Sequence, residues 1–237
     1  MNFLLDFLFP KRCVSCGNLG AYICKKCFSE IEFIKKPLCP ICQRQAIGGR
    51  THPGCGGRYQ LDGLIVVCRY RGAIAKAVQK IKYKWVYDIG KILVSVVAGN
   101  LWKFDFPPDA TLVPVPLHIK RKRWRGFNQA ELIGQDLARR FKHPYSDLLV
   151  RNRYTRPQVE LKSDKRKENV RSAFSLRPIR QAQGEQVHGK PLNFDIRDKN
   201  ILLVDDVYTS GATMSECCKV LKRVGAKDVW GLAVALG

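Results

Sequence analysis

Beyond Gly56-Gly57 the chain alternates short apolar runs with longer amphipathic stretches, the pattern of strands and crossover helices in an α/β domain. The apolar runs predict strands over Leu64–Tyr70, Thr111–Pro116, Ile201–Asp205 and Val229–Leu236. Helical spacing predicts helices over Ala73–Tyr83, Ile89–Lys103, Asn128–Phe141 and Ala212–Val224. Ile201-Leu202-Leu203-Val204 is apolar at every position, as a strand covered on both faces of a parallel sheet must be. The stretch Arg177–Asp195 is polar, rich in Gly, Pro and Gln and follows neither period, so residues 177–195 read as a loop or insertion. The pattern divides the chain into a head, residues 1–60, and an α/β domain, residues 61–237.

In the head, cysteine takes over: seven of the ten cysteines precede residue 56. Six form C-x2-C pairs, Cys13/Cys16, Cys24/Cys27 and Cys39/Cys42, and His52-Pro53-Gly54-Cys55 repeats the gap with an imidazole in the first position. A two-residue gap lets a tight turn present two donors to one tetrahedral zinc. The simplest grouping is sequential, Cys13, Cys16, Cys24 and Cys27 on one metal and Cys39, Cys42, His52 and Cys55 on another. An interleaved grouping has the same ligand count. Four-ligand sites leave no position for substrate, so the two zinc ions are expected to be structural. So small a head buries little apolar area, and metal binding supplies most of its folding free energy. Cys68, Cys217 and Cys218 fall outside the pattern and are expected as buried free thiols.

Composition adds a partner class. Lys and Arg total 42 against 20 acidic residues, a formal charge of +22, which favours a polyanion such as nucleic acid or a phosphorylated small molecule over a merely solubilising surface. The apolar start Met1–Pro10 carries Asp6, has no cationic n-region and is far short of the roughly 20 residues of a membrane span. The expected location is the cytoplasm, with no membrane span, where cysteines serve as metal ligands or thiols and not as disulfides.

The chemistry concentrates after the buried strand, at Asp205-Asp206-Val207-Tyr208-Thr209-Ser210-Gly211-Ala212-Thr213. Two carboxylates stand at a strand end, where open α/β sheets bind ligands. The hydroxyl-rich turn that follows opens a helix, whose N–H groups and partial positive charge suit a phosphate. Neither G-x-x-x-x-G-K-[ST] nor a strand-borne G-x-G-x-x-G occurs, which excludes P-loop and dinucleotide sites. This segment resembles the 5-phosphoribosyl-1-pyrophosphate (PRPP) motif of type I phosphoribosyltransferases.

Two further stretches carry a narrower resemblance. Val113-Pro114-Val115-Pro116-Leu117 leads into a cationic stretch, Lys120-Arg121-Lys122-Arg123-Trp124-Arg125-Gly126-Phe127-Asn128-Gln129, read as a loop ahead of a helix. Arg153, Thr155, Gln158, Leu161, Arg166, Asn169 and Ala173-Phe174 follow at fixed spacing. With the cysteine head and Tyr70–Tyr83, these segments resemble ComF proteins over nearly the whole chain, departing at His52, where a cysteine is usual, and at residues 180–194. The resemblance implies a type I phosphoribosyltransferase fold with a double zinc-ribbon head, and transfer of the phosphoribosyl group of Mg-PRPP with pyrophosphate release. Under it Asp205 and Asp206 orient the ribose, and Val207 and Thr209–Thr213 complete the PRPP site, the turn holding the 5′-phosphate. Pro116, Leu117, Lys120, Arg121 and Arg125 meet pyrophosphate, Mg2+ arrives with PRPP, and Arg153, Gln158 and Arg166 belong to a flexible covering loop. It also implies natural competence, with single-stranded DNA and a ComFA-type helicase as partners. The alternative is a non-catalytic DNA-binding factor that keeps PRPP as a ligand, using Lys122, Arg123 and Trp124 as backbone contacts and a stacking platform.

Overall fold

A computed structural model describes residues 10–81, 87–154, 168–178 and 195–237. Four parallel strands form the central sheet: β1 (Gly63–Arg69), β2 (Thr111–Pro114), β5 (Ile201–Tyr208) and β6 (Val229–Leu236), in spatial order β1-β6-β5-β2. Two shorter strands, β3 (Leu149–Arg151) and β4 (Phe174–Leu176), pair antiparallel in a separate ribbon. The helices among the described residues include α1 (Lys25–Ser29), α2 (Gly72–Lys80), α3 (Tyr87–Ala98), α4 (Ile119–Arg125), α5 (Gln129–Phe141) and α6 (Ala212–Arg223).

Strand side chains alternate between faces, and both faces of this sheet are covered. Ile65, Val67, Leu202, Val204, Leu232 and Val234 pack on one side with Ile74, Leu93, Ile133 and Leu137 of α2, α3 and α5. Leu64, Val66, Leu203 and Ala233 pack on the other with Met214, Cys217, Cys218 and Leu221 of α6. The three cysteines outside the head, Cys68, Cys217 and Cys218, are buried free thiols, as expected.

The edge of β1 is closed by the head. Ile34 N–H donates to Val67 O at 2.7 Å and Arg69 N–H to Glu32 O at 2.8 Å, while Thr51 N–H donates to Asp62 O at 2.9 Å. An open edge would expose a row of unpaired backbone groups, and here the zinc-bearing segment satisfies them. Val14, Ile23, Cys27 and Ile31 join the same core as the sheet.

Several elements end elsewhere than their pattern predicts. The helix expected over Ile89–Lys103 stops at Ala98 and resumes as a 3-10 turn, Leu101–Lys103, because Gly99-Asn100 intervenes and the Asn100 side chain donates back to Val96 O at 2.9 Å. The cationic stretch read as a loop is the helix α4. His118 caps its start, accepting from Lys120 N–H, and Gly126 ends it at φ 84°. Strand β5 runs three residues past the expected Asp205, since pairing with β6 continues to Tyr208 and Leu236. β2 stops at Pro114, two residues short of the expected Pro116. Strands β3 and β4, of three residues each, are too short for periodicity to reveal. Tyr83, at the end of an expected helix, and residues 179–194 of the expected insertion lie outside the described residues. Among the described residues no helix is long and apolar enough to cross a membrane.

Candidate phosphate cleft and zinc centres

At the C-terminal ends of β2 and β5 lies a cleft of about 590 Å3. Its floor is Asp205, Asp206 and Val207, one side is Thr209 and Thr213, and the other is Pro116, Leu117, Arg121, Trp124 and Arg125. Adjacent strand residues face opposite ways, yet both carboxylates line one cleft, at the point where β2 stops opposite Val204 and β5 runs on paired only with β6. Asp206 N–H donates to the Asp205 carboxylate at 2.8 Å. Burial, and next the Asp206 charge, push the Asp205 carboxyl well above the usual carboxylate range.

The turn after β5 is shaped by Gly211, the N-cap of α6, at φ 72°. A Cβ there would meet the Tyr208 hydroxyl at 2.2 Å. Ser210 and Ala212 do not line the 590 Å3 cleft; they line a neighbouring one of about 680 Å3, with Pro40, Ile41 and Tyr208. The Ser210 hydroxyl has no hydrogen-bond partner among the described residues. The turn thus separates two clefts, with both threonines on the carboxylate side.

The Arg125–Gln129 stretch has a local logic. Gly126 terminates α4 in the left-handed region, where glycine carries no Cβ penalty. Asn128 then caps α5, its side-chain oxygen accepting from Ala130 N–H and its amide donating to Val115 O at 2.9 Å. Such a cap contributes about 1 kcal/mol. Gln129, 3% exposed, accepts from Arg125 at 3.3 Å, and its side-chain nitrogen has no hydrogen-bond partner among the described residues.

Arg151 and Tyr154, which the sequence did not single out, also line the cleft, as does Tyr70, the first residue of the stretch Tyr70–Tyr83. Arg151 stacks over Phe174, its pairing partner across the β3–β4 ribbon. Burial, followed by the charge of Arg121, disfavours its guanidinium charge, and an anion between the two arginines would relieve that cost. Tyr154 receives Arg121 over its ring at 5.2 Å and meets His118 edge-on. Burial, and then the cations Arg151, Lys120 and Arg121, lower the His118 pKa. The only sequence signal for Arg151 was a cation ending a short apolar run.

Other expected site residues are more scattered. Lys120 and Arg123 are exposed, and Trp124 is 73% exposed. Lys122 is held by Glu131 at 2.8 Å. Arg153 donates to the carbonyls of Asn169 and Arg171, stapling the two ends of the segment that carries Gln158 and Arg166, which themselves lie outside the described residues.

The metal donors resolve the pairing left open by the sequence. They gather sequentially, Cys13, Cys16, Cys24 and Cys27 in one group and Cys39, Cys42, His52 and Cys55 in the other, with the donor atoms within 4.8 Å of one another. Zinc–sulfur bonds of about 2.3 Å in a tetrahedron put two sulfurs about 3.8 Å apart. Cys16 and Cys24 Sγ lie 3.6 Å apart, and Cys42 Sγ lies 3.4 Å from His52 Nδ1. The other ring nitrogen of His52, Nε2, sits 2.9 Å from Gln45 O, the outer-shell bond that orients a metal-bound imidazole. Both groups fit structural zinc, with His52 filling the place of a fourth cysteine.

Residues 4–56 match the double zinc ribbon domain and residues 128–236 the phosphoribosyl transferase domain. Fold and donor geometry therefore define a phosphoribosyl transferase-type α/β domain carrying a double zinc ribbon. The chain is 26% identical to Competence protein F of Haemophilus influenzae, over 92% of this chain and 99% of that protein. It is 29% identical to DNA utilization protein YhgH of Escherichia coli, over 93% of this chain and 92% of that one. Competence protein ComFC of Streptococcus pneumoniae is 27% identical, over 90% of this chain and 86% of that protein. The resemblance to ComF proteins drawn from the motifs is borne out along the chain's length.

Proposed function

We propose that the chain is a ComF-like phosphoribosyltransferase that holds Mg-PRPP in the cleft at the β2 and β5 ends and transfers, or once transferred, its phosphoribosyl group with pyrophosphate release. The observation that carries this reading is the shared cleft: Asp205, Asp206, Thr209 and Thr213 face Arg121, Arg125 and Arg151 across it. Asp205 and Asp206 would accept hydrogen bonds from the ribose hydroxyls. The Thr209–Thr213 turn would hold the 5′-phosphate through backbone N–H groups and hydroxyls at the start of α6. Magnesium, arriving with PRPP, supplies charge neutralisation at the pyrophosphate oxygens. Arg121, Arg125 and Arg151, which line the cleft, would stabilise the charge that grows on departing pyrophosphate, and fixed cations do so without reorganising. Pro116 and Leu117 line the same wall, Lys120 would reach pyrophosphate from the exposed side of α4, and Arg153, Gln158 and Arg166 would belong to the covering loop that the resemblance implies.

By likeness to relatives named for competence and DNA utilization, we place the activity in DNA uptake, in the cytoplasm, with single-stranded DNA and a ComFA-type helicase as partners. We also propose that the two domains meet near residue 60. The test is to incubate the full chain with Mg-PRPP and nucleobases or single-stranded DNA, following pyrophosphate. Acceptor-dependent release is the expected result. Binding without release supports the second reading, a DNA-binding factor with PRPP as ligand, favoured by Trp124 standing 73% exposed beside the exposed Arg123. PRPP that neither binds nor reacts removes both.

A further inference from the structure

Tyr208 is the last residue of β5 and immediately precedes the phosphate turn. It is 3% exposed, and its hydroxyl donates to Pro40 O at 2.8 Å, a contact across 168 residues of sequence. Pro40 lies inside the Cys39-Pro40-Ile41-Cys42 turn that supplies two donors of the second metal group. On its other side the phenol abuts the phosphate turn. A Cβ at Gly211 would come within 2.2 Å of the hydroxyl oxygen and 2.7 Å of the ring carbon bearing it. The ring is therefore a wedge between the zinc turn and the turn that opens α6.

We propose that Tyr208 is a positioning residue through which the metal held by Cys39, Cys42, His52 and Cys55 sets the phosphate turn's affinity for a phosphate monoester. This rests on the assignment of that turn to phosphate. Thiolates converging on one metal fix the Cys39–Cys42 turn, and with it the Pro40 carbonyl. Without the metal that acceptor moves, and a buried hydroxyl left without a partner is costly. The neighbouring cleft, bounded by Pro40, Ile41, Tyr208, Ser210 and Ala212, gives the ring room to tilt away from the acceptor. A tilt toward the turn would press on Gly211, since the ring lies so close that no Cβ fits between them. Coupling of this kind is reciprocal: if metal favours phosphate, phosphate favours metal.

The experiment uses the full zinc-loaded chain, with Tyr208→Phe and Cys42→Ser. Tyr208→Phe is expected to keep both metals and weaken Mg-PRPP binding about fivefold to tenfold, the worth of one buried hydrogen bond. Cys42→Ser should lose one zinc and weaken binding at least as much. The double variant should bind no more weakly than Cys42→Ser, since both act through one contact. A second readout follows zinc release to a colorimetric chelator. Mg-PRPP should slow one of two release phases in the unaltered chain and neither phase in Tyr208→Phe, a ligand dependence that a merely structural tyrosine would not produce. Unchanged affinity in Tyr208→Phe, additive losses, or release indifferent to ligand in the unaltered chain overturns the proposal. Should Cys42→Ser not fold, the release measurement on Tyr208→Phe decides. Should the unaltered chain bind no PRPP, the proposed function falls, and release is measured with inorganic phosphate. A phase slowed by phosphate in the unaltered chain but not in Tyr208→Phe sustains the coupling, and any other result ends it.

Discussion

At Asp205 burial and the neighbouring Asp206 carboxylate both oppose ionisation. The native state therefore keeps a proton that the unfolded chain releases above 3.8, and the group's contribution to stability falls as pH rises from there toward the raised native value. Asp205→Asn removes that cost. Its melting temperature should exceed that of the unaltered chain at neutral pH, with the gain shrinking as pH is lowered toward 3.8. Calorimetric melts across the pH range check the sign. Asp205→Asn with Asp206→Asn should abolish Mg-PRPP binding in titration calorimetry while the far-UV spectrum is unchanged, because both side chains face the cleft and carry no part of the core. A site that holds a destabilising carboxylate where a stabler amide would fit has the trade of stability for activity that functional residues show.

Among the elements, the two zinc ribbons differ in what they support. The first, Cys13 to Cys27, shares the core beneath α2 and α3 through Cys13, Val14, Ile23 and Cys27. The second, Cys39 to Cys55, sits against the turn that opens α6 through Tyr208. Elemental analysis of protein purified without added metal should return near two zinc ions per chain, from two groups of four donors. His52→Ala should lower the content toward one, because it removes both the Nδ1 donor and the bond at Gln45 O that orients it. Two ions retained in that variant would falsify the second tetrad.

Across the whole molecule the +22 charge has to find a surface. Lys120, Arg123 and Trp124 are exposed on α4, whereas Lys122 is engaged with Glu131 and Arg121 faces Tyr154 in the cleft. Single-stranded DNA should bind in the micromolar range or more weakly with little sequence preference, since α4 offers cations and an aromatic face but no buried base-edge reader. Each phosphate neutralised on a single strand contributes a log–log salt slope of about −0.7, so replacing Lys120 and Arg123 by Ala should flatten the slope by roughly 1.4. Lys122→Ala should change it less than either. Fluorescence anisotropy over a salt series gives the slopes, and an unaltered slope would move the DNA surface to another basic face, such as Lys25, Lys26, Lys35 and Lys36 of the head.

What the sequence by itself determined is what repeats or alternates locally. Eight metal donors at two-residue gaps, strands apolar at every position, and an acid pair followed by a hydroxyl-rich turn are short-range patterns, because a turn, a doubly covered strand and a helix start are each built by a few adjacent residues. Tertiary structure decided the rest. The sequential pairing of the donors depended on which turns meet in space. Arg151 and Tyr154 reach the cleft on a three-residue strand and the residues after it, a length that carries no period. Lys122 was drawn from the cationic run to Glu131, nine positions along the chain. The Tyr208–Pro40 bond spans 168 positions, and no spacing rule reaches that far: only the packing of the head against the sheet brings the Cys39–Cys42 turn to the turn that opens α6.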